Sequence, residues 1–135
     1  MFLLMSDTTL KTSDDFQRVY RRRCCFADRY LLVYTAPNDL GLRRLGVSVS
    51  RKWGNAVRRN RIKRLYREAF RQNRDSLPQN MDIIMIPRTA NPIILARCSQ
   101  SLIHLTTKAE RAIRNRSFTA ESMEEASGRR HESVD

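Results

Sequence analysis

The segment Met81-Asp-Ile-Ile-Met-Ile86 has the composition of a strand, and it is apolar at both odd and even positions. Successive side chains of a strand point to opposite faces, so this strand has to be covered on both sides. It therefore belongs in the middle of a sheet rather than at an edge. No other feature restricts the fold as much, because the rest of the chain has to supply the neighbouring strands and the covering layers.

Helical spacing supplies those layers. Ser13 can cap a first helix, with Asp14 and Asp15 near its positive end, and Phe16, Val19 and Tyr20 share one face. That helix is expected to end at Arg21-Arg22-Arg23. A second helix is expected from about Ala56 to Arg74, with Ile62, Leu65, Tyr66, Ala69 and Phe70 on its apolar stripe and Leu77-Pro78 beyond it. A third is expected from Leu95 to Ile113, where Cys98, Leu102, Leu105, Ala109 and Ala112 align.

Two further strands are expected. Tyr30–Thr35 puts Leu31 and Val33 on one face and Tyr30, Leu32 and Tyr34 on the other. Leu45–Ser50 alternates, with Leu45, Val47 and Val49 inward and small residues outward on an open sheet surface. The turn residues Pro37-Asn38-Asp39 and Gly41 lie between these strands, which are close enough to pair as an antiparallel hairpin. The strand–helix–strand unit from Leu45 to Ile86 permits a parallel pair. The expected class is α/β: a two-layer sandwich on a small mixed four-stranded sheet, in the order α-β-β-α-β-α with room for a short extra strand. Residues 1–10 are read as a flexible N-terminal segment, 11–117 as the folded domain and 118–135 as an acidic, disordered tail.

Charge narrows the function. Of the 26 Lys and Arg residues, 24 fall in residues 1–117 with 9 of the 14 acids, so the body carries +15 and residues 118–135 carry −3. Such a body attracts polyanions. The second helix concentrates the charge in Arg58, Arg59, Arg61, Lys63, Arg64, Arg67, Arg71 and Arg74, against Glu68 alone. Asn60, Arg64, Arg67 and Arg71 lie opposite the apolar stripe. A solvated helix face ordinarily mixes signs, and this one does not. Arginine forks meet phosphate oxygens in pairs, Asn60 adds an amide donor, and Gly54-Asn55 can bring backbone N–H groups to an anion. Tyr20 and Tyr34 read equally well as core packing or as rings that stack single-stranded bases. Trp53 leans toward packing.

Other classes fit poorly. No apolar run reaches membrane-spanning length, and Met1–Met5 is too short for a signal-peptide core. Cys24, Cys25 and Cys98 are odd in number and two are adjacent, so a reducing, cytoplasmic setting is expected. Neither His104 nor His131 has ligand spacing to a cysteine, the carboxylates are scattered, and no Gly-rich nucleotide loop is present. No catalytic set and no metal site are therefore expected. The pattern is that of a binder, with a general RNA-binding or ribosome-associated protein and a duplex-DNA module as the other readings.

The stretch Gly46–Arg71, GVSVSRKWGNAVRRNRIKRLYREAFR, resembles the signature of the bacterial ribonuclease P protein component. Arg59-Asn60-Arg61 followed by Ile62-Lys63-Arg64-Leu65 is its most specific part. SDDFQRVY, ADRYLLVYT and DIIMIPR extend the resemblance over about residues 10–115. The resemblance implies an α/β sandwich with a left-handed strand–helix–strand crossover, against the common rule. It implies one-to-one binding to a catalytic RNA that holds Mg2+ and removes the 5′ leader of precursor tRNA. The protein would bind no cofactor, small-molecule substrate or membrane of its own. By position, Lys52, Asn55, Ala56, Arg59, Asn60, Arg61, Lys63, Arg64 and Arg67, joined by Arg58 and Arg71 from the charge pattern, are expected to face the RNA. Phe16, Tyr20 and Tyr34 are expected to line the leader cleft. Two departures stand out: residues 1–10 contain no Lys or Arg, and Arg23 replaces a turn glycine.

Overall fold

The computed structural model describes residues 9–89 and 94–123. In chain order the elements are α1 (Ser13–Arg21), β1 (Cys24–Ala27), β2 (Leu31–Pro37), β3 (Arg43–Val47), α2 (Ala56–Gln72), β4 (Met81–Pro87) and α3 (Leu95–Met123). Short 3-10 turns, Arg51–Trp53 and Arg74–Ser76, lead into and out of α2. The strand at Cys24–Ala27 is the short extra one, and it completes a four-stranded sheet in the order β1-β2-β4-β3.

β4 occupies the centre. It runs antiparallel to β2, with Val33 opposite Met85, and parallel to β3, with Leu45 opposite Ile83. The antiparallel hairpin expected between β2 and β3 does not form, because β4 lies between them. The physical reason is the two-faced apolarity of β4. At an edge, Ile83, Ile84 and Met85 could not all be removed from water, whereas here all three are fully buried. β2 finds its other partner in β1, with Tyr34 opposite Cys25.

The two faces are covered differently. On one, Leu31, Val33, Leu45, Ile83 and Met85 pack under Tyr66, Ala69 and Phe70 of α2 and Cys98, Leu102 and Leu105 of α3. On the other, Ala36 and Ile84 pack with Leu10 and with Val19 of α1, while Phe16, Tyr20, Tyr34 and Ile86 stay half-buried at the margin. The expected open surface beside β3 is therefore only partly open. Gly46 is buried under Phe16, and a Cβ there would stand 2.7 Å from Phe16 Cζ and 3.0 Å from Leu10 Cδ1.

Several local expectations shift. Thr12, not Ser13, caps α1: its hydroxyl accepts from the Asp15 N–H at 3.1 Å, and Asp15 accepts from the Thr12 N–H in return. Tyr30 sits in the bend before β2, outside the alternation, and packs toward the α2–α3 core. Thr9 and Leu10, assigned to a flexible segment, are pinned to β3: Thr9 bridges Leu45, and the Leu10 N–H donates to the Leu45 carbonyl at 2.9 Å. Residues 1–8 lie outside the described residues. α3 continues past Ile113 to Met123, so the first part of the segment read as a disordered tail is helical, and residues 124–135 lie outside the described residues.

Arg23, between α1 and β1, adopts φ 54°. This left-handed conformation costs a residue with a Cβ roughly 1–2 kcal/mol.

Candidate nucleic-acid interface

Local rules fix the start of α2. Asn55 is its cap, and its Oδ1 accepts from the Arg58 N–H at 2.9 Å. Gly54 takes φ 128°, and a Cβ there would meet Arg58 Cδ at 2.5 Å, so glycine allows the Arg58 stem to lie across the turn. Arg59 Nε donates to the Gly54 carbonyl at 3.1 Å, which orients that guanidinium back over the helix start. Lys52 Nζ lies 5.0 Å from the Trp53 ring centre. Trp53 itself is half-buried.

Beyond this first turn, Asn60, Arg61, Arg64 and Arg67 are exposed and Lys63 is half-exposed. Among the described residues no carboxylate pairs with Arg58, Arg59, Arg61, Lys63, Arg64 or Arg67. Arg71 differs from its neighbours. Glu68 grips it through two bonds, Nε to Oε1 at 3.1 Å and Nη2 to Oε2 at 2.5 Å, and Gln72 bonds the same carboxylate. Bonds from Arg71 hold the Glu68 carboxyl below its ordinary range. The unopposed face thus runs from Arg58 to Arg67, and Arg71 is its neutralised end.

The aromatic residues gather elsewhere. Tyr20 of α1 meets Tyr34 of β2 edge-on, with ring centres 4.9 Å apart, and Phe16 lies 6.4 Å from Tyr20. Ile86 flanks the rings, and Leu32 faces the same side by strand alternation. The result is a half-buried aromatic and aliphatic patch where the leader cleft is expected. Burial foremost, then the adjacent Cys25 thiol and Tyr20, raise Tyr34 above its ordinary pKa, with Arg23 pulling the other way. The ring therefore stays a neutral phenol. This cleft and the α2 face lie on opposite layers of the sheet, so the structure joins each predicted group internally without merging the two.

A network the sequence reading missed lies beneath α1, which contributes Arg18 to it. Asp82 of β4 is fully buried. Its Oδ1 accepts from Arg44 Nε at 2.8 Å and Asn38 Nδ2 at 2.7 Å, its Oδ2 accepts from Arg44 Nη2 at 2.9 Å, and Arg18 of α1 also pairs with Oδ2. A carboxylate inside an otherwise apolar strand was the available signal, since buried charge requires partners.

The remaining titratable groups look structural. Burial raises the Asp28 carboxyl, but bonds from Ser101 at 2.6 Å and from the Tyr30 and Leu31 N–H groups outweigh it and hold the group below its ordinary value. The Cys98 thiol, pushed up to about 12 by burial, is an inert core group. His104 is exposed, and His131 lies outside the described residues. Among the described residues no group of three or more His, Cys, Asp or Glu could hold a metal ion, and no helix is long and apolar enough to cross a membrane.

Comparison with known proteins gives a consistent answer. A family model of ribonuclease P matches residues 4–110. The ribonuclease P protein component of Natranaerobius thermophilus is 38% identical over 103 residues, covering 76% of this chain and 90% of that protein. The solved Staphylococcus aureus RNase P protein superposes with a TM-score of 0.66 at 38% identity, covering 76% of this chain and 94% of that one. The Thermotoga maritima RNase P protein does so at 0.68 and 30%, covering 74% and 96%.

Proposed function

The chain belongs to the ribonuclease P protein family, the protein subunit of the endoribonuclease that matures tRNA 5′ ends, and from that premise we propose what each of its surfaces does. The α2 face, Lys52, Asn55, Arg58–Arg61, Lys63, Arg64 and Arg67, binds one copy of the catalytic RNA through its phosphates. The cleft of Phe16, Tyr20 and Tyr34 takes the single-stranded 5′ leader of precursor tRNA, with bases stacked on the rings. Arg71 contributes less than its neighbours because Glu68 already partners it.

The hydrolysis itself falls to the RNA in this reading, in the cytoplasm. Mg2+, bound by the RNA, would supply the activation of the attacking water, and no residue of this chain is assigned to hold it. The protein contributes binding energy, orientation of the leader and relief of phosphate repulsion. The observation that carries the reading is the single-sign run on α2, which has no carboxylate to answer it from Arg58 to Arg67. Such a face is unfavourable alone and favourable against a polyanion.

The test is cleavage of a 5′-labelled precursor tRNA at low magnesium, with a bacterial ribonuclease P RNA, with this protein, and with both. Cleavage only in the mixture is expected. Cleavage by protein alone would place the chemistry on this chain. Tight RNA binding without rescue of cleavage would make it a general RNA-binding protein instead.

A further inference from the structure

A leader lying in the aromatic cleft brings phosphates as well as bases, and the floor of that cleft offers them nothing. Two cations on this side of the sheet are already engaged, since Arg18 and Arg44 both serve the buried Asp82. The rim is different. Arg21, Arg22 and Arg23 follow directly on Tyr20 and are all exposed. Among the described residues no carboxylate pairs with any of them.

We propose that Arg23 is a contact for a leader phosphate at the mouth of the cleft. The inference rests on the reading of the cleft as the leader site and adds a residue to it. Three observations carry it. The Arg23 N–H donates to the Tyr20 carbonyl at 3.0 Å, so the residue is tied to one ring of the cleft. Two residues on, Cys25 pairs with Tyr34, which ties the same turn to the other ring. Finally, the turn holds Arg23 at φ 54°, where glycine or asparagine is at ease and an arginine is not. Backbone strain of this kind persists where the surroundings enforce it and clusters at binding sites. The charge also reaches the cleft, since Arg23 acts on the Tyr34 hydroxyl.

The test measures affinity of the holoenzyme (full-length chain with a bacterial ribonuclease P RNA) for precursor and for mature tRNA over a salt series. Arg23→Gly and Arg23→Asn both suit the left-handed turn and remove the charge, while Arg23→Lys keeps the charge. The neutral variants are expected to lose precursor affinity several-fold and leave mature tRNA unchanged. Their precursor slope of log affinity against log salt should become shallower by about 0.7, the value of one single-strand phosphate contact. Arg23→Lys should retain most of the affinity, and Arg23→Gly should melt no lower than the parent. Unchanged precursor affinity in the neutral variants, or equal losses for precursor and mature tRNA, would overturn the assignment. Tyr34→Ala, run alongside, locates the failure. If it still discriminates against precursor, Arg23 alone is wrong; if it too is neutral, the leader cleft falls and Arg23 with it.

Discussion

Replacing Asp82 with asparagine is the most direct test of the buried ion network that lies beneath α1. Asparagine keeps the shape and one acceptor oxygen, but it turns an NH2 group toward a guanidinium and removes the negative charge. Asp82 is wholly inaccessible, and the Arg44 side chain is only 17% exposed. The variant therefore strands a mostly buried cation. Breaking a buried pair from one side costs about 3–5 kcal/mol. Arg18 is 42% exposed and can turn to water, so its half of the network adds less than about 1 kcal/mol. Small domains are stable by only about 5–15 kcal/mol, so Asp82→Asn should lose a large share of the margin. For a domain of this size each 1 kcal/mol moves the melting midpoint by about 4–8 °C, so a fall of about 12 °C or more is expected. Urea denaturation and thermal melting followed by circular dichroism at neutral pH measure both. A loss below about 1 kcal/mol for Asp82→Asn, or an Arg18→Ala loss that exceeds it, would refute the assignment of the network energy to Arg44.

Three further outcomes are expected. Tyr34→Ala should weaken binding of leader-bearing precursor by about 1–3 kcal/mol and leave mature tRNA unchanged, whereas Tyr34→Phe should behave like the parent; equal losses for both RNAs would make the ring structural. On α2, Arg64→Gln should flatten the salt dependence of RNA binding by about 0.7–0.9 in slope, Arg71→Gln should do so less, and Glu68→Gln should tighten binding by releasing Arg71. Gly46→Ala should destabilise by about 1–3 kcal/mol through its clash with Phe16 and Leu10, and precursor affinity should fall with it; a stable variant with normal precursor binding would show that Phe16 is free to move.

What the sequence discloses here depends on how local the signal is. β4 and α2 are legible because their burial pattern repeats within a single element: two-faced apolarity in one and a 3.6-residue stripe in the other. β1 is not, since Cys24–Ala27 is too short for alternation to register and becomes a strand only by pairing with β2. The neighbours of β4 are not legible either. Proximity in the chain favours a β2–β3 hairpin, and only the need to bury both faces of β4 overrides it. The exposed arginines of α2 stand out from charge alone, and among the described residues no carboxylate pairs with those from Arg58 to Arg67. Arg71 is the exception, and its i−3 neighbour Glu68 was the visible warning. Arg18 and Arg44 look like two more surface cations until Asp82 is placed between them, which requires the tertiary fold.

On the reading proposed above, the separation of the two surfaces follows from what each would have to do. A stacking floor needs apolar area that is dry but reachable, with cations confined to its rim. A phosphate-binding helix needs open water and no internal acids. One sheet satisfies both because β4 sends Ile83 and Met85 toward α2 and α3, and Asp82, Ile84 and Ile86 toward α1. Each surface is then secured mainly by apolar packing. Apolar packing of Tyr66, Ala69 and Phe70 secures α2, so the basic face keeps its shape whatever the ionic strength, and salt acts on its contacts with RNA. Val19 packs α1 against Leu10, Ala36 and Ile84, Arg18 adds a bond to the buried Asp82 that salt screens weakly, and the stacking α1 supports is not a charge interaction. On that reading, raising salt should strip the α2 contribution first and leave stacking in the cleft as the larger remaining part of precursor recognition, which is the condition under which the aromatic residues are best measured.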